Sequence, residues 1–150
     1  MATRYLLDTP VLLHWLRGKK QAEVIEHYFQ LETSPFKPLV CIVSLGEMRA
    51  FSRSQNWGAE RKKRLDEIEK HLIVIDIRDQ RLLDAYADIS TLAKKSGWSL
   101  FHGKNDLWVA AAAKASDSHL LTMDKDFLPL QRVAGWAITI LDDKTAVPLV

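Results

Sequence analysis

The chain has 150 residues, 47% of them apolar and 27% charged, with a single cysteine, Cys41. That length supports a sizeable core, and the composition excludes broad disorder, a disulfide framework and a cysteine-cluster zinc site. With 21 basic against 19 acidic residues, the net charge of +2 permits a nucleic-acid partner without arguing for one.

No apolar run approaches the ~20 residues of a membrane span. The opening residues, MATRYLLDTPVLL, lack the basic stretch and long apolar run of a secretory signal, so a cytoplasmic protein is expected. No repeat or linker interrupts the chain, and residues 1–150 read as one domain. Tyr5-Leu6-Leu7 is a short apolar strand ending at Asp8. Val11, Leu12, Trp15 and Leu16 then recur at helical spacing, with Pro10 suited to the first turn and Gly18 to the stop. A second helix covers 21–31, and the prolines at 35 and 38 mark a loop. Residues 39–43 read as a buried strand, and Ser44 opens a helix to about 54. A strongly charged helix spans 59–70, and 72–75 is a strand. The helix over 79–96 carries Leu82, Leu83, Tyr86, Ile89, Leu92 and Ala93 on one face and closes at Gly97. A very apolar helix covers 106–115, followed by strands over 119–122 and 136–141. Strands with continuous apolar runs, separated by helices, predict an α/β fold with a mostly parallel sheet covered on both faces.

Such sheets bind ligands beyond the carboxyl ends of their strands. Four acids fall at that edge. Asp8 follows the first strand, Glu47 lies in the first turn after the second, Asp106 begins the alanine-rich helix, and Asp124 follows the strand ending at Thr122, with Asp126 two residues on. Clustered carboxylates repel, and a hard divalent cation such as Mg²⁺ is the natural compensation. Each acid also has a purely structural reading. Asp8 suits a helix N-cap, Ser44-x-x-Glu47 is a capping-box pattern, Asn105 and Asp106 suit a helix start, and Asp124-Lys125-Asp126 suits a turn.

Four segments carry a resemblance. Tyr5-Leu6-Leu7-Asp8-Thr9, Val43-Ser44-Leu45-Gly46-Glu47, Asn105-Asp106-Leu107-Trp108-Val109-Ala110-Ala111 and Leu121-Thr122-Met123-Asp124-Lys125-Asp126-Phe127 resemble, in order, the four motifs of PIN-domain nucleases. In size and pattern the chain looks most like the VapC-type toxins of toxin–antitoxin pairs. The resemblance implies a PIN-like three-layer fold and a metal-dependent endoribonuclease using one or two Mg²⁺ or Mn²⁺ ions. It implies Asp8, Glu47, Asp106 and Asp124 as the catalytic quartet, with Asp8 and Asp106 as the most direct metal ligands. Glu47, Asp124 and Asp126 are further ligand candidates, Asp126 standing as the alternative to Asp124, and Thr122 is the hydroxyl that orders the site. The family's first motif usually continues Asp-Thr-Asn; here Pro10 removes an amide side chain and a backbone N–H from the rim. The resemblance also implies an RNA substrate, a homodimer and an antitoxin of the VapB kind.

RNA contacts must come from outside the acids. Arg17 and Lys104, nearer the acidic edge, are the preferred phosphate contacts, while Arg61–Arg64 read as a solvated helix face. Trp57, in a polar stretch, is the candidate for stacking on an unpaired base; Trp15 and Trp108 read as core, and His14 and His102 lack metal-ligand spacing. A haloacid-dehalogenase-type phosphotransferase would need a second Asp where Pro10 stands, and a receiver domain would need an acidic pair beside the first strand. The stronger rival is a catalytically silent PIN-like RNA-binding or regulatory module.

Overall fold

The computed structural model describes residues 3–96, 105–133 and 135–150. Gly97, His102 and Lys104, singled out above, lie outside them. Five strands, β1 (Tyr5–Leu7), β2 (Leu39–Cys41), β3 (Ile73–Ile75), β4 (His119–Thr122) and β5 (Ile138–Ile140), form one sheet in the order β3-β2-β1-β4-β5, every pair parallel. The helices are α1 (Thr9–Arg17), α2 (Lys20–Phe29), α3 (Ile42–Ser54), α4 (Ala59–Glu69), α5 (Gln80–Ser96), α6 (Asp106–Ala115) and α7 (Leu128–Val133).

Side chains alternate across a strand, so each run of apolar residues feeds two cores. Leu6, Leu39, Leu120 and Ile140 point into one, beneath α5, α6 and α7. Leu7, Val40 and Leu121 point into the other, with Leu12, Ile25, Met48 and Leu65 from α1–α4. The result is three layers. Ala110, Ala111, Ala112 and Ala113 are fully buried, and their small side chains bring α6 close to α5 and the sheet.

The topology fixes where a site can form. The chain leaves β1 into α1 on one face of the sheet and leaves β4, through a 3₁₀ turn (Lys125–Phe127), into α7 on the other. β1 and β4 are neighbours, so their carboxyl ends flank a crevice at the switch point. The Asp8 N–H donates to Leu121 O at 2.9 Å, which continues the ladder one step past Leu7.

Three expectations need correction. The second strand stops at Cys41 and α3 starts at Ile42, so Ser44 lies inside the helix with its buried Oγ unpartnered rather than at a cap. The apolar run at β3 is not covered on both faces: β3 is an edge, and Ile73 and Val74 are 46% and 40% exposed. The last strand shrinks to Ile138–Ile140, and the tail returns antiparallel along it, with Leu149 N–H donating to Ile140 O at 2.8 Å and Ile140 N–H to Val150 O at 3.0 Å. The short helix α7 was not legible in the sequence.

The tight seat of α6 has a measurable consequence. Ala111→Leu forces a branched side chain into a packed layer that holds only a methyl group. It is expected to lower stability by ~1–3 kcal/mol in denaturant titration. An unchanged midpoint would show that α6 can back away from the sheet.

Candidate functional site

Asp8 sits at the carboxyl end of β1 and caps α1. Its Oδ1 accepts from the Thr9 N–H at 2.9 Å, and its Oδ2 accepts from the Thr122 hydroxyl at 2.8 Å. Both oxygens are therefore fixed, one by each strand's continuation. Asp8 is only 5% exposed and Thr122 is fully buried. The Thr122 Oγ1 also accepts from the Asp124 N–H at 3.1 Å, so this hydroxyl links two acids. Pro10 occupies the first turn of α1, where its missing N–H leaves no helical bond unmade.

Glu47 lies in the second turn of α3 and is not a capping-box residue. Its Oε1 accepts from the Thr9 hydroxyl at 2.8 Å, which ties α3 to the start of α1. Asp106 is the first residue of α6, where the helix N-terminus favours a negative charge. Yet its Oδ2 is buried with no hydrogen-bond partner. Asp124 accepts from the Asp126 N–H at 2.9 Å, while the Asp126 side chain is exposed.

Burial, then the neighbouring acids, govern the protons here. Burial pushes the Asp8 carboxyl up to about 6, against the lowering effect of the Thr122 and Thr9 bonds; Glu47 and Asp124 raise it further. Asp106 is pushed up to about 8, first by burial, then by the charges of Asp8 and Asp124, and further by a side-chain hydrogen bond with Asp124 that favours the protonated form. Asp124 thus acts on both. Among the described residues no ion pair involves any of the four.

Such a pocket of oxygen donors without a counter-charge suits a hard cation in its chemistry. Among the described residues, no group of three His, Cys, Asp or Glu side chains is arranged as a ready ligand set. Mg²⁺ does not require one, because it keeps several waters and is commonly held by one or two carboxylates plus substrate phosphates. The unpartnered Asp106 Oδ2 and the oriented Asp8 carboxylate fit that requirement.

The other sequence candidates fall elsewhere. Arg17 is exposed at the far end of α1, about 13 Å from Asp8 along the helix at 1.5 Å per residue. Trp57 departs from its expected role: it is 6% exposed, lies edge-on to Phe51 with ring centroids 5.9 Å apart, and offers no face to a base. Trp15 and Trp108 are half-buried against the two cores, as their spacing implied. Burial lowers the His14 pKa, with Arg17 adding to the effect, and the acid that acts on it is Asp143 rather than any of the quartet. Sequence reading missed Thr9 as the link to Glu47; its partner is 38 residues away, and only its place beside Asp8 hinted at a role.

A family profile for the PIN domain matches residues 5–134. No curated protein matches the sequence. Solved structures share the fold. One is VapBC2 from Rickettsia felis bound to a DNA fragment from its promoter, at 20% identity and a TM-score of 0.72, covering 91% of this chain and 97% of that one. Another is VapBC-1 from nontypeable Haemophilus influenzae, at 15% identity and a TM-score of 0.71, covering 92% and 98%. A third is VapBC-5 from Mycobacterium tuberculosis, a member of the VapBC family of toxin–antitoxin systems, at 20% identity and a TM-score of 0.64, covering 93% and 98%.

The raised carboxyls give the metal-free protein a pH signature. Asp8 and Asp106 bind their protons more tightly folded than unfolded, where 3.8 applies. The folded state therefore holds more protons, and its stability falls as pH rises from 3.8 through about 8. In EDTA the thermal midpoint of Asp106→Asn is expected to fall less steeply than that of the unsubstituted chain across this window. At its alkaline end the variant melts several degrees higher, at ~2–4 °C per kcal/mol for a domain of this size. Parallel curves would show that Asp106 holds no extra proton.

Proposed function

The chain belongs to the PIN-domain family, and on that premise we propose that it is a metal-dependent endoribonuclease, the toxin of a VapBC-type pair. The observation that carries the reading is the buried, unpartnered Asp106 Oδ2 in the neighbourhood of an Asp8 carboxylate oriented at both oxygens. A silent module would have no use for uncompensated like charges, which cost stability.

In this reading Asp8 and Asp106 hold one or two Mg²⁺ or Mn²⁺ ions, with Glu47 and Asp124 completing the quartet. Such an ion supplies neutralising charge for the phosphoryl oxygens and lowers the pKa of the attacking water. The protein's own contribution is orientation. Thr122 and the Thr9 amide keep Asp8 from rotating, the Thr9 hydroxyl holds Glu47 toward the crevice, and the Asp126 amide holds Asp124. Asp106 would have to give up its proton to hold a cation, so affinity is expected to rise with pH toward about 8. The reaction class is hydrolysis of an RNA phosphodiester.

The likeness to solved VapBC structures supports a VapB-like partner for this chain. The reading further includes a homodimer, one domain over residues 1–150 and a cytoplasmic location. Among the described residues no helix is long and apolar enough to cross a membrane.

Cleavage of single-stranded RNA is expected with Mg²⁺ or Mn²⁺ and is abolished by EDTA. Asp8→Asn and Asp106→Asn should each lower the rate on the order of 10²–10³-fold, the scale of losing one preorganised electrostatic group. Thr122→Val, which frees the Asp8 carboxylate to rotate, should cost about 10–100-fold. Full activity in either Asp variant refutes the assignment, and absence of Mn²⁺ binding by calorimetry favours the silent module instead.

A further inference from the structure

The charged helix α4 is not evenly solvated. Arg61, Arg64, Leu65 and Ile68 recur at i, i+3, i+4 and i+7, the stripe of one helix face, and Leu65 and Ile68 belong to the core shared with α1. Two arginines therefore stand on the side of α4 that leans toward α1 rather than on its outer side. They meet Arg17 and Lys19, which flank Gly18 at the turn between α1 and α2. Gly18 has φ 63, a left-handed conformation that lets the chain reverse there and bring both basic residues to one place. The four cations, with Leu16 and Trp57, line a hollow of about 120 Å³.

Two features make this a built site rather than a scatter of surface charge. The Arg61 guanidinium lies over the Trp57 ring, 5.7 Å from its centroid, and Trp57 is itself anchored against Phe51. The buried indole thus serves as a floor that holds an arginine in place. Second, among the described residues none of the four cations has an acidic partner within ion-pair distance; the ion pairs are Arg49–Glu69, Arg81–Asp79 and Lys114–Asp88. Glu69, the acid that ends α4, is already taken by Arg49. Like charges gathered without a counter-charge are matched by an anion, and the planar arginine fork suits a tetrahedral oxyanion.

The α1–α2 turn, with Arg17 and Lys19, stands one length of α1, about 13 Å, from Asp8. We infer that this pocket is a phosphate subsite for the backbone of a single-stranded RNA whose cleaved bond lies at the acids a few nucleotides away. The inference rests on the nuclease reading. It assigns affinity, not chemistry, to Arg17, Lys19, Arg61 and Arg64. The hollow is small and ringed by charge, which fits one phosphodiester group better than an acidic peptide with side chains to seat.

The test is binding of a short labelled single-stranded RNA to the full chain in EDTA, read by fluorescence anisotropy over a KCl series. The double substitution Arg61→Gln with Arg64→Gln should weaken binding about tenfold at low salt. It should also flatten the slope of log affinity against log salt by roughly 0.7 for each phosphate that is no longer neutralised. Lys62→Gln with Lys63→Gln removes the same charge from α4 outside the pocket and should do much less. Thermal midpoints of both variants confirm that each folds. Equal losses in the two pairs would reduce the effect to net charge and overturn the pocket. So would tight binding of poly-glutamate that depends on Arg61 and Arg64 while RNA binding does not. Failure of the nuclease reading is distinct: RNA binds with the expected salt slope, but Mg²⁺ produces no cleavage.

Discussion

Asp8 is placed where a carboxylate is costly to keep charged. It is sealed between the ends of β1 and β4, and three other acids share its surroundings. What makes the position tolerable is that each oxygen has a dedicated donor, the Thr9 amide on one side and the Thr122 hydroxyl on the other. One donor lies in β4 and the other in the first residue of α1, two positions past the end of β1. The orientation of Asp8 is therefore set by the parallel pairing of β1 with β4, whose register places Leu7 opposite Leu121. Slip that register by one residue and Thr122 would turn its hydroxyl to the other face.

Asp106 is the counterpart without such donors: its Oδ2 has no hydrogen-bond partner, and its side-chain bond is to another acid, Asp124. Asp106 arrives at the crevice on α6, and α6 is held there by apolar packing on nearly every side, with Leu107, Val109 and four alanines buried. The packing energy of that helix overrides the local penalty of an unsatisfied oxygen. Local frustration of this kind, in a molecule otherwise well matched to its fold, is the physical mark of a site rather than of scaffold. Thr9 shows the opposite situation, a residue used twice. It lends its amide to Asp8 and its hydroxyl to Glu47, and so couples α1 and α3 at the crevice.

The sheet, most helices and the four acids were legible because they depend on short-range patterns: apolar runs for strands, spacing of apolar side chains for helices, and acids where strands end. The failures have particular causes. Trp57 sits among polar residues, but Asn56 adopts φ 50 and the Trp57 N–H returns to Ser52 O at 2.9 Å, so the chain doubles back and tucks the ring under α3. Nothing in local polarity reports such a reversal. Ser44 and Glu47 have the spacing of a capping box, yet the strand gives way to helix at Ile42, and the motif ends up inside α3. The six residues of α7 are too few for periodicity to register. Asp124 and Asp126 look alike in sequence, and local pattern does not report that the Asp126 amide donates to the Asp124 carboxylate. The two arginines of α4 were legible as charge but not as a pocket, since the opposing Arg17 and Lys19 are more than 40 positions away.

The two margins of the sheet are unlike. Along β5 the returning tail occupies the outer backbone groups, with Pro148 opposite Leu141 adding a residue that cannot donate. Along β3 no further strand is paired among the described residues, and Ile73 and Val74 lie open beside it. β5 is thus engaged on both sides, by β4 and, at Ile140, by the tail, whereas among the described residues β3 is paired on one side only, with β2.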